Sequence, residues 1–175
     1  MISREDIIAI PKVELHNHLE GMIRLSTIID LCKQFHYVVP GIENYDSDDV
    51  TPYLNHFCNS TQVECIEVFF DKFWYIQSLL RTTEIIERVA FECVEDSFNM
   101  GVKLLEIRYS PSFICQSRLA DHSHLTMESV LAAIVAGISR AKATYDIAVG
   151  MYVCYITCIY LVNLYFLFRF DRING

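Results

Sequence analysis

The sequence predicts an α/β fold in which strands alternate with helices around a parallel sheet. An alternation of apolar and polar residues begins at Val13 and Leu15, and a second strand-like run extends from Val102 to Tyr109. Apolar residues recur at helical spacing from Thr83 to Met100 and again from Thr126 to Tyr145. Strand, helix, strand and helix in this order are typical of βα repeats, which form parallel sheets.

Capping residues and helix breakers predict the remaining elements in chain order. These are a short capped helix over Ser3–Ile8 that Pro11 stops, a helix over Ser26–Phe35 capped by Ser26, a loop over Pro40–Pro52, a long amphipathic and aromatic segment over Gln62–Leu80, and a buried third strand over Ile147–Cys154. Gly101 is expected to end the Thr83–Met100 helix, and Thr126 is expected to cap the last helix.

The charge balance argues against a nucleic-acid partner. Fourteen basic and 22 acidic side chains give a formal net charge of −8, and the basic residues form no cluster that could neutralise phosphates. The seven cysteines show no Cys-x-x-Cys spacing and no secretory signal precedes the first strand, so free thiols and a cytoplasmic location are expected. A small organic ligand stays compatible with this charge, because a buried pocket needs no basic surface.

The ten residues from Lys12 to Gly21, Lys-Val-Glu-Leu-His-Asn-His-Leu-Glu-Gly, carry the main chemical signal. His16 and His18 are two positions apart, and side chains alternate faces along a strand, so both imidazoles are predicted on one side. Two imidazoles at the carboxyl end of a strand can share a divalent ion. Taken alone, the spacing also fits an ordinary pair of surface or core histidines.

This decapeptide resembles the first barrel strand of the adenosine deaminase family, a branch of the metal-dependent amidohydrolases. The family strand has the pattern Lys-Val-Glu-Leu-His-x-His-Leu-Asp-Gly, and the chain departs from it at Glu20, where the family has Asp. Phe69–Phe73 resembles the helical segment that covers the family's substrate pocket, and Gly101–Pro111 resembles its second strand. The resemblance implies a partial (β/α)8 TIM-type barrel over residues 1–150, with the N-terminal strands and helices only.

The resemblance also implies roles for individual side chains. His16 and His18 correspond to zinc ligands of the family, and Glu20 corresponds to the acid that contacts the substrate's ribose. His18, Phe69 and Phe73 are then expected beside the substrate. The implied reaction is zinc-dependent hydrolytic deamination of adenosine, or of a close purine nucleoside analogue, to inosine and ammonia, with a single Zn²⁺ ion as cofactor.

The same resemblance leaves the catalytic apparatus incomplete. Complete barrels of this kind have about 250 residues, and the later family motifs, which resemble His-Ala-Gly-Glu and an Asp-Asp pair, do not occur after the second predicted strand. A catalytic zinc site needs three protein ligands and two are recognisable, so the isolated chain is expected to be inactive. The alternatives are another amidohydrolase, acting for example on cyclic amides, and a non-catalytic remnant.

Residues 151–175 are predicted to be a divergent apolar tail, because the part from Tyr155 to Gly175 matches nothing in the family. The wider segment 147–168 contains no charged side chain. Three interpretations stay open: a truncated or mis-spliced product, a transmembrane helix, since about 20 apolar residues can span a bilayer, and a buried strand with a helix. If the segment is a transmembrane helix, the chain is expected in a membrane and not in the cytoplasm.

Several positions have a purely structural alternative. For Glu20 it is a solvated loop acid. Arg108 is predicted to be structural and to tie loops together through its fork of donors. His122-Ser123-His124 repeats the His-x-His spacing but follows Asp121 in a polar stretch, which predicts a solvated loop. Ordinary helix-core packing is the alternative for the aromatic residues Phe69, Phe70, Phe73 and Trp74.

Overall fold

The computed structural model describes residues 2–42, 45, 49–58, 66–117, 119–153 and 166–168, of which 8, 66–70 and 166–168 are described by their backbone. The elements in chain order are α1 (Arg4–Ala9), β1 (Lys12–His18), a 3₁₀ turn (Leu19–Met22), α2 (Leu25–Phe35), α3 (Thr51–Phe57), α4 (Ile66–Gln77), α5 (Thr83–Asn99), β2 (Val102–Tyr109), α6 (Pro111–Cys115), α7 (Met127–Lys142), β3 (Ala148–Val153) and β4 (Phe166–Phe168).

Strands β1, β2 and β3 form a parallel sheet in that order, and helices connect each strand to the next. The pairing of β2 with β3 runs without a shift from Leu104 opposite Ala148 to Tyr109 opposite Val153. This arrangement confirms the predicted α/β class and agrees with the first three strands of a TIM-type barrel. The short strand β4 pairs antiparallel with β3, which the sequence did not indicate.

The two faces of the sheet differ in how far they are covered. On β2, Leu105 and Ile107 are fully buried on the side where α5 packs, and α7 packs on α5. Leu104 lies on the opposite side with its β1 partner Val13, and these two side chains are 37% and 61% exposed. In a closed barrel this open side is the interior, so we call it the inner face.

Strand β1 contains a bulge shortly before its carboxyl end. Leu15 and His16 together lie opposite a single residue of β2, Glu106, and both are exposed on the inner face. The register on either side of the bulge is Glu14 opposite Leu105 and Asn17 opposite Ile107. Two residues that are neighbours in sequence therefore point to the same side of the sheet.

Helix α2 begins one residue before its predicted cap. The prediction that Ser26 caps this helix is wrong, because Leu25 is its first residue and Arg24 occupies the cap position. The Arg24 guanidinium binds two acids of α5, with Nη2 2.5 Å from Glu95 Oε2 and 2.6 Å from Asp96 Oδ1. A tertiary ion pair, and not a local capping hydroxyl, fixes the start of the helix.

Two short helices were not predicted. Helix α3 starts at the end of the predicted Pro40–Pro52 loop, and helix α6 follows β2 directly; each has proline in its first turn, where the missing N–H costs no hydrogen bond. The longer elements agree better with prediction. Helix α4 lies within Gln62–Leu80, β2 has the predicted bounds, and Thr126 caps α7 by accepting a hydrogen bond from the backbone N of Ser129.

The third predicted strand is present as β3, but it is mostly half-buried and not buried as predicted, since Met151 is its one buried residue. The tail after it lies mostly outside the described residues. Residues 154–165 and 169–175 are among those not described. The described parts of the 147–168 segment are strands, and no helix in the part of the chain that the structure describes is long and apolar enough to cross a membrane. Most of the segment lies outside the described residues, so all three interpretations of the tail stay predictions.

Candidate metal and substrate site

The carboxyl ends of β1, β2 and β3 meet at one edge of the sheet, because the three strands are parallel. His18 ends β1 directly opposite Arg108 on β2, and Arg108 lies opposite Tyr152 on β3. Paired residues of neighbouring strands point to the same side, so these three side chains form a row on the inner face. In parallel α/β folds, ligand sites lie at this edge.

The two histidines of β1 lie side by side on the inner face. The ring centroids of His16 and His18 are 5.3 Å apart, and their planes are tilted by 45°. The structure therefore brings the predicted pair together. The alternation that begins at Val13 and Leu15 would by itself place the histidines on the opposite face, but the bulge changes the phase of the strand and puts all four side chains on one side.

The spacing of the two rings fits one zinc ion. Zinc in a tetrahedral site lies about 2.0–2.1 Å from each imidazole nitrogen, which places the centroids of two coordinated rings about 5 Å apart. Partial burial and the positive charges of His16 and Arg108 lower the pKa of His18, which favours the neutral imidazole that binds metals. Among the described residues, no group of three or more His, Cys, Asp or Glu side chains could hold a metal ion.

Glu20 follows β1 in the 3₁₀ turn, where its side chain is buried with 4% exposed. Gln77, the last residue of α4, is fully buried, and its Nε2 donates to Glu20 Oε1 over 3.5 Å. Burial raises the pKa of Glu20 to about 7, so the carboxyl is partly protonated near neutral pH. The alternative of a solvated loop acid is therefore wrong, because the protein excludes water from this carboxyl.

Helix α4 contacts the end of β1 through two successive turns. The ring of Phe73 meets His18 edge-on, with centroids 6.2 Å apart and planes at 80°. Gln77 comes four residues later on the same helix face and reaches Glu20. Two residues that are four positions apart on α4, Phe73 and Gln77, therefore contact two residues that are two positions apart at the end of β1, His18 and Glu20.

The other predicted aromatic contacts are less directly tied to the histidines. The side chains of Phe69 and Phe70 lie outside the described residues, so the predicted contact of Phe69 with substrate stays a prediction. Trp74 packs against Phe113 of α6, with ring centroids 4.0 Å apart. Both rings are half-buried and lie outside the buried core cluster, so the two alternatives for Trp74, helix-core packing and a pocket cover, stay predictions.

Comparison with known proteins assigns the chain to a family. The family model described as adenosine deaminase matches residues 11–160. The chain belongs to the adenosine deaminase family. Among the curated members, the adenosine deaminase of Vibrio atlanticus (strain LGP32) is 34% identical over 144 residues, which cover 81% of this chain and 39% of that relative.

Solved structures of deaminases and amidohydrolases share the fold. An amidohydrolase from Burkholderia ambifaria, solved with bound Zn, matches with a TM-score of 0.65 at 21% identity, over 86% of this chain and 37% of its own. The apo structure of the N6-methyl-AMP deaminase from Arabidopsis thaliana matches with a TM-score of 0.61 at 25% identity, over 86% of this chain and 42% of its own. The chain therefore spans about two fifths of the length of these three proteins.

The surroundings of Arg108 in this adenosine deaminase family member differ from those predicted for a structural residue that ties loops together. The predicted fork of hydrogen bonds between loops is not seen among the described residues. The Arg108 guanidinium lies over the Tyr152 ring, with Cζ 4.8 Å from the ring centroid, and its Nε is buried without a hydrogen-bond partner in the described part of the chain. Arg108 instead lies on the inner face opposite His18 and packs on the Tyr152 ring.

Gln77 is a site residue that the sequence analysis missed. Its Oε1 is buried and has no hydrogen-bond partner within the described ranges, while its Nε2 faces Glu20. A signal was present in the sequence: Gln77 is a polar residue four positions after Phe73, and it directly follows the aromatic and apolar run Phe73–Ile76. Such a residue on a buried helix face needs a polar partner.

The second His-x-His segment forms no site with the first. His122 is 3% exposed, and its Nδ1 donates to the carbonyl oxygen of Ile114 over 2.7 Å. His124 is exposed, and its Nε2 donates to the carbonyl oxygen of Arg81 over 2.7 Å. The predicted solvated loop is wrong for His122, because this loop folds back on helix α6 and buries the ring.

Proposed function

We propose that this chain forms the zinc- and purine-binding N-terminal part of a hydrolytic purine nucleoside deaminase, with one Zn²⁺ ion held by His16 and His18. The 5.3 Å spacing of the two imidazole centroids carries the proposal, because it suits two ligands of one tetrahedral ion. Membership of the adenosine deaminase family supports deamination as the reaction class. The relatives are longer than this chain, so the proposed activity belongs to the whole family protein.

The other residues of the site suit a nucleoside. The buried carboxyl of Glu20 offers an acceptor to a ribose hydroxyl, and Gln77 restrains it from the side of α4. Phe73 presents an aromatic wall beside His18, which suits the flat, apolar faces of a purine base. When bound, zinc would supply the Lewis-acid activation of water that hydrolysis at a purine ring carbon requires.

An unphosphorylated sugar is the form of substrate we propose. The named relatives differ on this point, since one is an adenosine deaminase and another is an N6-methyl-AMP deaminase. Glu20 favours the nucleoside, because a buried carboxyl accepts hydrogen bonds from hydroxyl groups and repels a phosphate when it is ionised.

Metal titration of the purified chain tests the proposed site. We expect one zinc ion per wild-type chain in equilibrium dialysis with elemental analysis, and loss of that ion in His16→Ala and in His18→Ala. His124→Ala removes an exposed histidine of another loop and is expected to keep the zinc. If the double variant of His16 and His18 binds as much zinc as the wild-type chain, the proposed site is wrong.

Ligand binding then separates the reaction classes. We expect the zinc-loaded chain to bind adenosine more tightly than AMP in isothermal titration calorimetry. Binding of a cyclic amide such as hydantoin, with no binding of adenosine, would favour the other amidohydrolase reaction. Zinc binding with neither ligand would favour a non-catalytic remnant over a substrate-binding part.

A further inference from the structure

We propose that Glu14 is a positioning residue that holds the bulge of β1 and thereby keeps both histidines on the inner face. The inference rests on the proposed zinc site. Glu14 stands immediately before the two bulged residues, Leu15 and His16. Its Oε1 accepts a hydrogen bond from the backbone N of His16 over 3.2 Å.

The bulge interrupts the regular pairing between β1 and β2 at this point. Leu15 and His16 of β1 together face the single residue Glu106 of β2. Two backbone N–H groups of β1 therefore lie where regular strand pairing has one. Backbone N–H groups that lose a ladder partner need another acceptor. The Glu14 carboxylate provides one for His16, and a charged acceptor makes the stronger kind of hydrogen bond.

A regular strand would turn the histidines away from the inner face. In an unbroken alternation, His16 and His18 share a side with Glu14, and Val13 and Leu15 occupy the other side. A change of phase by one residue moves every following side chain to the opposite face. Loss of the bulge would therefore take both imidazoles out of the row that contains Arg108 and would turn them toward the helix layer.

A second carboxylate separates position from charge. Glu106 lies on β2 opposite the bulge and carries the same charge as Glu14. Within the described residues it makes no hydrogen bond to β1. If the Glu14 carboxylate acts only by attracting the zinc cation, replacing Glu106 should weaken zinc binding as well. If Glu14 acts by holding the bulge, replacing Glu106 should leave zinc binding nearly unchanged.

Zinc affinity of the full 175-residue chain, measured by competition with a chromophoric chelator, is the first readout. We expect Glu14→Ala to weaken zinc binding at least about tenfold, as loss of a group that orients a metal ligand does. Glu14→Gln keeps an acceptor oxygen and is expected to stay within about fivefold of the wild type. Glu14→Met matches glutamine in length but offers no oxygen, so it should behave like Glu14→Ala. Glu106→Ala is expected to change the affinity by less than about threefold.

Amide hydrogen exchange of His16 in the metal-free chain is the second readout, because it reports on the bulge without zinc. We expect faster exchange in Glu14→Met than in Glu14→Gln. Equal zinc affinities and equal exchange in these two variants would overturn the inference, as would an equal loss of affinity in Glu106→Ala. If the wild-type chain binds no zinc, the proposed function is wrong, and so is the claim that Glu14 supports zinc binding. The amide exchange of His16 then still decides whether Glu14 holds the bulge.

Discussion

The helix-covered face of the sheet is closely packed, whereas the inner face is open and carries the histidine pair. On the covered side Leu105 is fully buried, and α5 approaches α7 so closely that a Cβ built on Gly137 would lie 2.3 Å from the carbonyl oxygen of Glu87. On the inner face Val13 and Leu15 are more than half exposed. The difference teaches that stability depends on one side of the sheet and the candidate chemistry on the other.

Replacing the two adjacent leucines of β2 tests this division most strongly. Leu105→Ala removes a fully buried side chain and is expected to lower the free energy of unfolding by about 3 kcal/mol. Leu104→Ala, on the inner face, is expected to cost less than about 1 kcal/mol, because its side chain is already 37% exposed. Urea unfolding followed by circular dichroism measures both, and equal losses would show that the two faces contribute alike.

A methyl group at the crossing of α5 and α7 should have the next largest effect. Gly137→Ala would place its Cβ against a backbone oxygen and 2.9 Å from the Cβ of Ala90, so the helices must move apart. We expect a loss of about 2 kcal/mol in the free energy of unfolding. Gly21→Ala, where no atom lies within 4 Å of the added Cβ, is the matched control and should change it by less than about 0.5 kcal/mol.

The comparison extends to the histidines, since the site pair is exposed and His122 is buried. Burial holds the pKa of His122 below its ordinary value of 6.5, and the nearby charges of Arg81 and His124 lower it further. The unfolded chain therefore takes up a proton before the folded chain does, and the free energy of unfolding falls as the pH decreases through about 6.5.

A variant that cannot titrate should make this pH dependence flatter. His122→Asn keeps a donor for the Ile114 carbonyl oxygen, and urea unfolding between pH 5 and pH 7.5 is expected to show a smaller slope than in the wild type. One such group contributes at most about 1.4 kcal/mol per pH unit. His124→Asn on the same loop is the control, and an equal flattening by that variant would contradict the assignment to the buried ring.

The sequence predicts the fold well where the signal is local. Strand β2 has the predicted bounds because Gly101 precedes and Ser110 and Pro111 end a strand-like run, and Thr126 caps α7 through its own hydroxyl. The start of α2 was mispredicted because it depends on the ion pairs of Arg24 with α5, which join distant parts of the chain. Local propensity contains no information about such tertiary contacts.

The candidate site, like the fold, could be predicted from the sequence only where the signal is local. The spacing of His16 and His18 predicts that the two rings share a side, and they do. Which side they share depends on a bulge that the alternation of Val13 and Leu15 does not reveal, because it arises from the register of β1 on β2. The burial of Glu20 against Gln77 was equally hidden, since it depends on how α4 packs on the end of β1.

The central claim is that a metal ion binds His16 and His18 on the inner face while the covered face maintains the fold. The most direct test is the free energy of unfolding of the wild-type chain and of His16→Ala at increasing zinc concentrations. We predict equal stability without metal, within about 0.5 kcal/mol, and a gain of about 2.7 kcal/mol for the wild-type chain at a hundredfold excess of zinc over its dissociation constant, with no gain for the variant. Equal stabilisation of both chains by zinc would contradict the account.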